Sequence, residues 1–394
     1  MAHVMLRPND WFKRIHHEER RSARRAPISY RSCRRALGTL AGCNWLANLR
    51  EEKKGIQLER LSAAAGYNAS VLTADIPKAR QMVLGARGTV FVGSNAGSVH
   101  ALTLDGNRVV KARTLATGLK DGSGVAFHNG ALFYSDRTRI LRMDDIENRL
   151  DNPPAPGTVV DGLPNEERHG ARFMMVGPDN KLYISVGSPC NVCEAPKDEF
   201  GQVLRVNPDG SGREIFARGI RNTVGFDFHP QTRELWFTEN GQDELGTERP
   251  NDELNRVSKV GEHFGFPYCH DTAIADPEFG AKRACNEFTP PVFGLGAHVA
   301  ALGMRFYKGE SVPTAMRDSI IVARHGSHPP IRVGYDVVRI KLNGNRVDGM
   351  EPFLTGFLQG RVYWGRPADV LPMPDGSVLV SDDLNGAIYR VARN

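Results

Sequence analysis

The chain has 394 residues, 40% of them hydrophobic, which is enough apolar surface to build a large core. It contains no run of about 18 apolar residues, which excludes a spanning helix. The formal charge of +6 is concentrated at one end, with 13 Lys/Arg against 5 Asp/Glu in residues 1–55 and 38 against 40 beyond them; the bulk of the chain is near neutral, and a nucleic-acid-binding surface is not indicated.

Residues 1–60 read as a basic leader. Their Arg pairs and lack of hydrophobic periodicity predict disorder. The stretch ALGTLAGC, ending at Cys43 behind Arg34 and Arg35, has the shape of a bacterial lipoprotein cleavage site, although its apolar part is short for a signal peptide. The expectation is a periplasmic or secreted protein, with lipid anchoring at Cys43 as one form of it.

From residue 61 onward one phrase recurs six times: a turn residue, a short strand-like run, then Gly, Ser or Asp. In chain order the copies are ARGTVFVGS (86–94), NGALFYSD (129–136), DNKLYISVGS (179–188), TRELWFTENG (232–241), RDSIIVARHG (317–326) and DGSVLVSDD (375–383). Each has a partner strand downstream: SVHALTLDG, RILRMDD, QVLRVNPDG, DELNRVSKVG, YDVVRIKLNG and GAIYRVARN. Repeated short strands with Gly/Asp turns predict an all-β fold, a six-bladed β-propeller of four-stranded blades with inserted loops, spanning residues 61–394. Such a ring gathers its loops on one axial face, so a site is expected there.

Six cysteines are present. Cys33 and Cys43 lie in the leader; Cys190 and Cys193 follow the third copy, and Cys269 and Cys285 share one insertion between copies four and five. Two local disulfides, Cys190–Cys193 and Cys269–Cys285, explain the pairs more simply than half a zinc site or free thiols, and they imply an oxidising compartment.

The polar residues cluster before the later copies. His169 precedes the third, Arg221 and Asn222 precede the fourth, Gly241 and Gln242 follow it, and Arg366 and Asp369 open the sixth. Guanidinium forks bind carboxylates, and an imidazole takes a hydroxyl proton near neutrality, so the combination describes an anion pocket with a general base. Other residues read as structural: His229 in a turn, His263 and His270 as loop histidines, the Asp382–Asp383 pair fixing a turn, and Trp236, Phe237, Phe264, Phe266 and Tyr268 as core. His298 is open between a structural role and a ligand contact.

The phrases ARQMVLGARGTVFVGS, RHGARFMMVGPDNKLYISVGSPCNVC, ARGIRNTVGFDFHPQTRELWFTENG, PNDELNRV, GEHFGFPYCH, LGAHVAALGMRFYKG, ARHGS and WGRPADVLPMPDGSVLVSDDLNGAIYRV run in order through about 310 residues. Together they resemble the soluble pyrroloquinoline-quinone-dependent sugar dehydrogenases, above all the sorbosone dehydrogenase-like branch. The resemblance implies a quinoprotein that oxidises a sugar or sugar aldehyde and passes electrons to a cytochrome or quinone pool. A homodimer is a further expectation. It makes His169 the general base, Arg221, Asn222, Arg366 and Arg324 the contacts to pyrroloquinoline quinone, and the carbonyls of Gly241 and Gln242 the Ca²⁺ ligands. It places Gln81 and Arg168 at the substrate mouth. Arg168 and Ser188 stand where glucose-oxidising relatives carry acids, so glucose is not the implied substrate. The rival readings are a non-catalytic carbohydrate- or protein-binding ring and, last, a Ca-dependent lactonase.

Overall fold

The computed structural model describes residues 55–196 and 199–394, which form six blade sheets in a ring and two small two-stranded ribbons, Cys269–His270 with Ile274–Ala275 and Leu358–Gln359 with Val362–Tyr363. The first blade comprises Ala79–Leu84, Val90–Ser94, Ser98–Asp105 and Arg108–Ala116; the second, Val125–His128, Ala131–Asp136, Arg139–Met143 and Gly157–Val160. The third runs Met174–Val176, Leu182–Val186, Gln202–Val206 and Glu214–Arg218, and the fourth Phe226–Phe228, Leu235–Glu239, Asn251–Val257 and Phe293–Ala297. Ala301–Phe306, Ser319–Arg324, Asp336–Asn343 and Arg346–Thr355 make the fifth. The sixth takes Pro367–Pro372, Val378–Asp382 and Ala387–Arg393 from the end of the chain, and its outer strand, Tyr67–Thr73, from near the beginning.

The recurring phrase is the second strand of every blade. That strand is covered on both faces by neighbouring blades, so it reads as an unbroken apolar run: VFVGS, LYISV, LWFTE and VLVSD are buried at every position. Outer strands alternate instead; Arg108–Ala116 buries only Leu115. The apolar core is divided accordingly into six clusters, one between each adjacent pair of blades. Phe91, Val99, Val125 and Tyr134 join the first pair, for example, and Trp236, Leu254, Met304 and Ile320 the fourth and fifth blades.

Two features lie outside the repeat. Tyr67–Thr73 pairs antiparallel with Ala387–Arg393, from Tyr67 opposite Arg393 to Thr73 opposite Ile388, and this closes the ring. Two blades also carry a short fifth strand, Glu262–His263 on the third and Ser62–Ala63 on the fifth. Of the leader expected over residues 1–60, residues 1–54, with the anchor at Cys43, lie outside the described residues, while Leu58–Arg60 forms a short 3-10 helix.

Inner strands are stitched across the axis by buried polar groups. Gln81 Nε2 donates to Met174 O at 2.5 Å, and its Oε1 accepts from Val125 N and Met174 N, which ties the first three blades together. Asp369 accepts from Met82 N at 2.8 Å and pairs with Arg305, joining the sixth, first and fifth blades. Asp227 accepts from Phe306 N and links the fourth to the fifth. These bonds fix the relative tilt of the blades, and with it the loops above them.

Candidate functional site

The loop before the third blade's inner strand presents His169. Its backbone is left-handed, φ 53°, an uncommon state for a residue with a side chain. Arg172, buried beneath the loop, donates to Pro164 O, Arg137 O and His169 O and so holds that turn. The imidazole Nδ1 lies 2.8 Å from Ser188 O. A carbonyl only accepts, so Nδ1 carries the proton and Nε2 keeps its lone pair. Burial, with Arg221 and Arg168 adding to it, pushes the pKa down to about 4 against the opposing Ser188 contact. Behind the ring, Gly187 leaves no room for a side chain: a Cβ there would lie 2.5 Å from His169 Cβ and 3.0 Å from Asn222 Oδ1.

Arg221 and Asn222 come from the loop before the fourth blade. Arg221 is buried, and its Nε and Nη2 donate to Asn191 O (2.9 Å) and Asn191 Oδ1 (2.7 Å). Nη1 reaches Asn240 O, and Nη2 also pairs with the exposed Asp243 at 3.0 Å. Asn222 Nδ2 donates to Asn240 Oδ1. Asn191 Nδ2 is itself buried with no partner, an orphan donor inside the site.

The Glu239–Gln242 turn follows. Gly241 N donates to Asp252 Oδ1, and Asp252 Oδ2 accepts from Ala301 N. The carbonyls of Gly241 and Gln242 accept no hydrogen bond from the described residues. Beneath them lie Glu239, Asp252 and Glu253, each pushed above the usual carboxylate range by burial, with Glu239 and Glu253 repelling one another. No group of three or more His, Cys, Asp or Glu side chains among the described residues is arranged to hold a metal ion. Any cation here would rest on backbone oxygens.

The opposite wall comes from blades five and six. Arg366 donates from Nε to His325 O and from Nη2 to Gly326 O (2.7 Å), and its guanidinium lies over the rings of Tyr335 and Tyr363. Beside it, His325 Nε2 meets Asp383 Oδ1 at 2.9 Å, and Arg80 from the first blade bridges to Asp383 Oδ2 at 2.8 Å. Burial takes His325 down to about 4 despite Asp383. Asp383 itself stays well below the usual range because Arg80 and His325 outweigh its own burial. His328 feels both Arg366 and Asp243, so the two walls lie within electrostatic reach of each other.

Set against the sequence, His169, Arg221, Asn222, Arg366 and the Gly241–Gln242 turn occupy loops of one axial face, with exposed Arg168 beside His169 and Arg221. Two placements are corrected. Gln81 is 4% exposed and its amide is spent on the inner strands of the second and third blades, so it belongs to the frame and not to the substrate mouth. Arg324 gives Nε and Nη2 to Asp336 of its own blade and Nη1 to Leu295 O of the fourth, so its fork is committed between these two blades; His325 with Arg80 stands at the axis instead. Asp369, which opens the sixth blade with Arg366, points into the channel wall against Arg305. His298 Nε2 donates to Gly246 O of the blade-four loop, 2.7 Å away, a structural tie. His229, His263 and His270 cap turns or pair locally, and Asp382 collects turn donors from Arg366, Leu384 and Asn385.

Sequence reasoning missed Asn191, Asp243 and Arg172, and it read Asp383 as fixing a turn, whereas Asp383 pairs with His325 and Arg80. Only the position of Asn191 between two paired cysteines could have flagged it. Both cysteine pairs are disulfides, Cys190–Cys193 and Cys269–Cys285, as their spacing predicts. They suit an extracellular or periplasmic protein. No helix among the described residues is long and apolar enough to cross a membrane.

Comparison with known proteins adds the following. The profile of the TrAA12-like family matches residues 61–355. An uncharacterized protein of Borreliella burgdorferi is 33% identical over 347 residues, 84% of this chain and 90% of that one. A pyrroloquinoline quinone-dependent sugar dehydrogenase of Hypocrea jecorina is 22% identical, over 73% of this chain and 77% of its own length. An iodide structure of the Trichoderma reesei Carbohydrate-Active Enzymes Family AA12 superposes with a TM-score of 0.75 at 20% identity, covering 87% of this chain and 100% of the other, a likeness of fold.

Proposed function

The chain belongs to the TrAA12-like family of pyrroloquinoline-quinone-dependent oxidoreductases, and on that premise we propose that it oxidises a sugar or sugar aldehyde, of the aldose or sorbosone kind, with His169 as general base. The observation that carries the reading is the state of His169: neutral, with Nδ1 locked on Ser188 O and Nε2 left as an acceptor beside two guanidinium groups.

The residues present fit the quinone. Arg366 offers guanidinium charge for its carboxylates, Arg221 adds its charge through space because its donors are held by Asn191, Asn240 and Asp243, and the orphan Nδ2 of Asn191 needs an acceptor that the protein does not supply. Bound there, the quinone would supply the two-electron redox capacity that no side chain has. Ca²⁺ would rest on the carbonyls of Gly241 and Gln242, hard oxygen donors that the protein leaves unused, above a bed of buried carboxyl groups.

The protein's own part is positional and protolytic. The left-handed turn and Arg172 hold His169 still, Ser188 fixes its tautomer, and Nε2 accepts the proton of the sugar hydroxyl as the C–H bond is oxidised. Arg168, exposed beside the base, meets substrate at the rim. The electrons leave to a cytochrome or the quinone pool.

His169→Gln in reconstituted protein tests the assignment. Turnover is expected to fall by at least about a hundredfold, the scale of a lost general base, with quinone affinity unchanged. Turnover equal to wild type would remove His169 from the role.

A further inference from the structure

The loop that leaves the second strand of blade three touches every reactive side chain of that half of the site. At its foot, Ser188 takes the His169 Nδ1 proton on its carbonyl, while Ser188 N donates to Arg221 O at 2.7 Å. At its apex, Asn191 accepts Arg221 Nε on its main-chain oxygen, and Arg221 Nη2 and Asp243 N on its side-chain oxygen. Between these two residues the Ser188 hydroxyl folds back on Cys190, 3.3 Å from its carbonyl and 3.2 Å from its sulfur. Cys190 and Cys193 then close the loop covalently across Asn191.

A four-residue disulfide ring is more than the loop needs merely to stay folded, because it joins no distant parts of the chain and removes little entropy from the unfolded state. What it does is hold Asn191 against Arg221 without help from a strand ladder. We propose that the Cys190–Cys193 ring is the positioning element of the site: it keeps His169 in one tautomer through Ser188 and keeps the Arg221 fork in place through Asn191, so that turnover requires the disulfide closed. The consequences for turnover and for quinone affinity rest on the dehydrogenase reading; the consequence for the tautomer does not.

The ring is also reachable. Cys193 lines a cavity of about 300 Å³ together with Glu194, Phe200, His263 and Tyr268. A small dithiol can therefore exchange with it: the dithiol is oxidised to its disulfide by two electrons, and Cys190 and Cys193 each take up a proton.

The test uses cofactor-free protein with ¹⁵N-labelled histidine at pH 7. His169 resonances are identified by their loss in His169→Gln. Wild type is expected to show the Nδ1–H form alone. Cys190→Ser/Cys193→Ser, or wild type reduced by a dithiol should that variant not fold, is expected to show the Nε2–H form in half or more of the molecules. Asn191→Ala leaves Ser188 in place, so it is expected to keep the tautomer yet weaken quinone binding by about tenfold, the scale of a lost supporting contact. Cys269→Ser/Cys285→Ser is expected to lower the melting temperature with the tautomer untouched. Reduction is expected to lower turnover about tenfold or more, and reoxidation to restore it.

A folded, open-ring protein that keeps His169 wholly in the Nδ1–H form would overturn the proposal. So would unchanged quinone affinity in Asn191→Ala. Wild type that binds no quinone and turns over no sugar would sink the dehydrogenase reading instead, and the tautomer comparison would still decide the ring's role.

Discussion

The imidazole of His169 starts from an ordinary pKa of 6.5 and is brought to about 4 by burial and by Arg221. Protonation would occupy Nε2, so activity is lost as pH falls through the folded value. Carboxylates bound against Arg221 would remove part of its push, so the acid limb of the kcat/KM profile is expected above 4 but below 6.5. A limb at or above 6.5 would contradict a desolvated base. Across the site, Arg366→Ala is expected to weaken quinone binding by about 2 kcal/mol, roughly thirtyfold, as for a lost charge-assisted pair. An unchanged titration would mean that Arg366 only braces the His325–Gly326 backbone. At this scale the sequence made the location of His169, Arg221 and Arg366 on one axial face legible, because each sits in a loop at a blade entry. It was illegible where the outcome depends on which way a side chain turns. Gln81 and Arg324 are polar residues on strands beside the axis, and only the backbone around them decides that one stitches blades and the other pairs with Asp336.

The strands repeat because burial repeats. Second strands are covered on both faces and so carry the apolar phrase that predicts six blades; outer strands are half exposed and blend into the loops. The polar stitching of inner strands has no such signature, because its partners come from distant copies. Asp369 shows the effect. It accepts Met82 N, pairs with Arg305 and is raised to about 6 by burial, which Arg305 opposes. Removing one partner of a buried pair leaves the other uncompensated, so Asp369→Ala is expected to cost about 3 kcal/mol of stability, measured by denaturant unfolding. A loss within about 0.5 kcal/mol, the range of an ordinary surface change, would mean that the pair does not hold the ring. The sign of its pH dependence is fixed as well. A carboxyl whose folded pKa is raised gives stability below its ordinary value of 3.8 that is lost as pH rises through about 6, so the deficit of the variant should shrink over that window.

At the largest scale, the described residues form a ring closed by the strand Tyr67–Thr73. The outer strand of the sixth blade, Tyr67–Thr73, lies opposite the last strand of the chain, a pairing that no repeat count foretells because the copy is split between the two ends. Deleting residues 61–74 is expected to bare the Ala387–Arg393 edge and the Tyr67 side of the core, lowering the melting temperature by about 5 °C or more. A deletion that melts like the intact protein would show that the ring does not depend on this closure. The six blades and the axial face that gathers the polar loops were thus readable from the sequence, whereas the closure and the cross-blade contacts were not.

The account rests on a quinone-dependent sugar oxidation at the axial face. The most direct measurement titrates the purified protein with pyrroloquinoline quinone and Ca²⁺ and follows dye reduction against a panel of aldoses, sorbosone and a no-sugar control. Saturable dye reduction that needs both quinone and sugar is the predicted result. Saturable quinone binding with no sugar oxidised across the panel, or no quinone binding at all, would contradict the account and leave a ring that binds without chemistry.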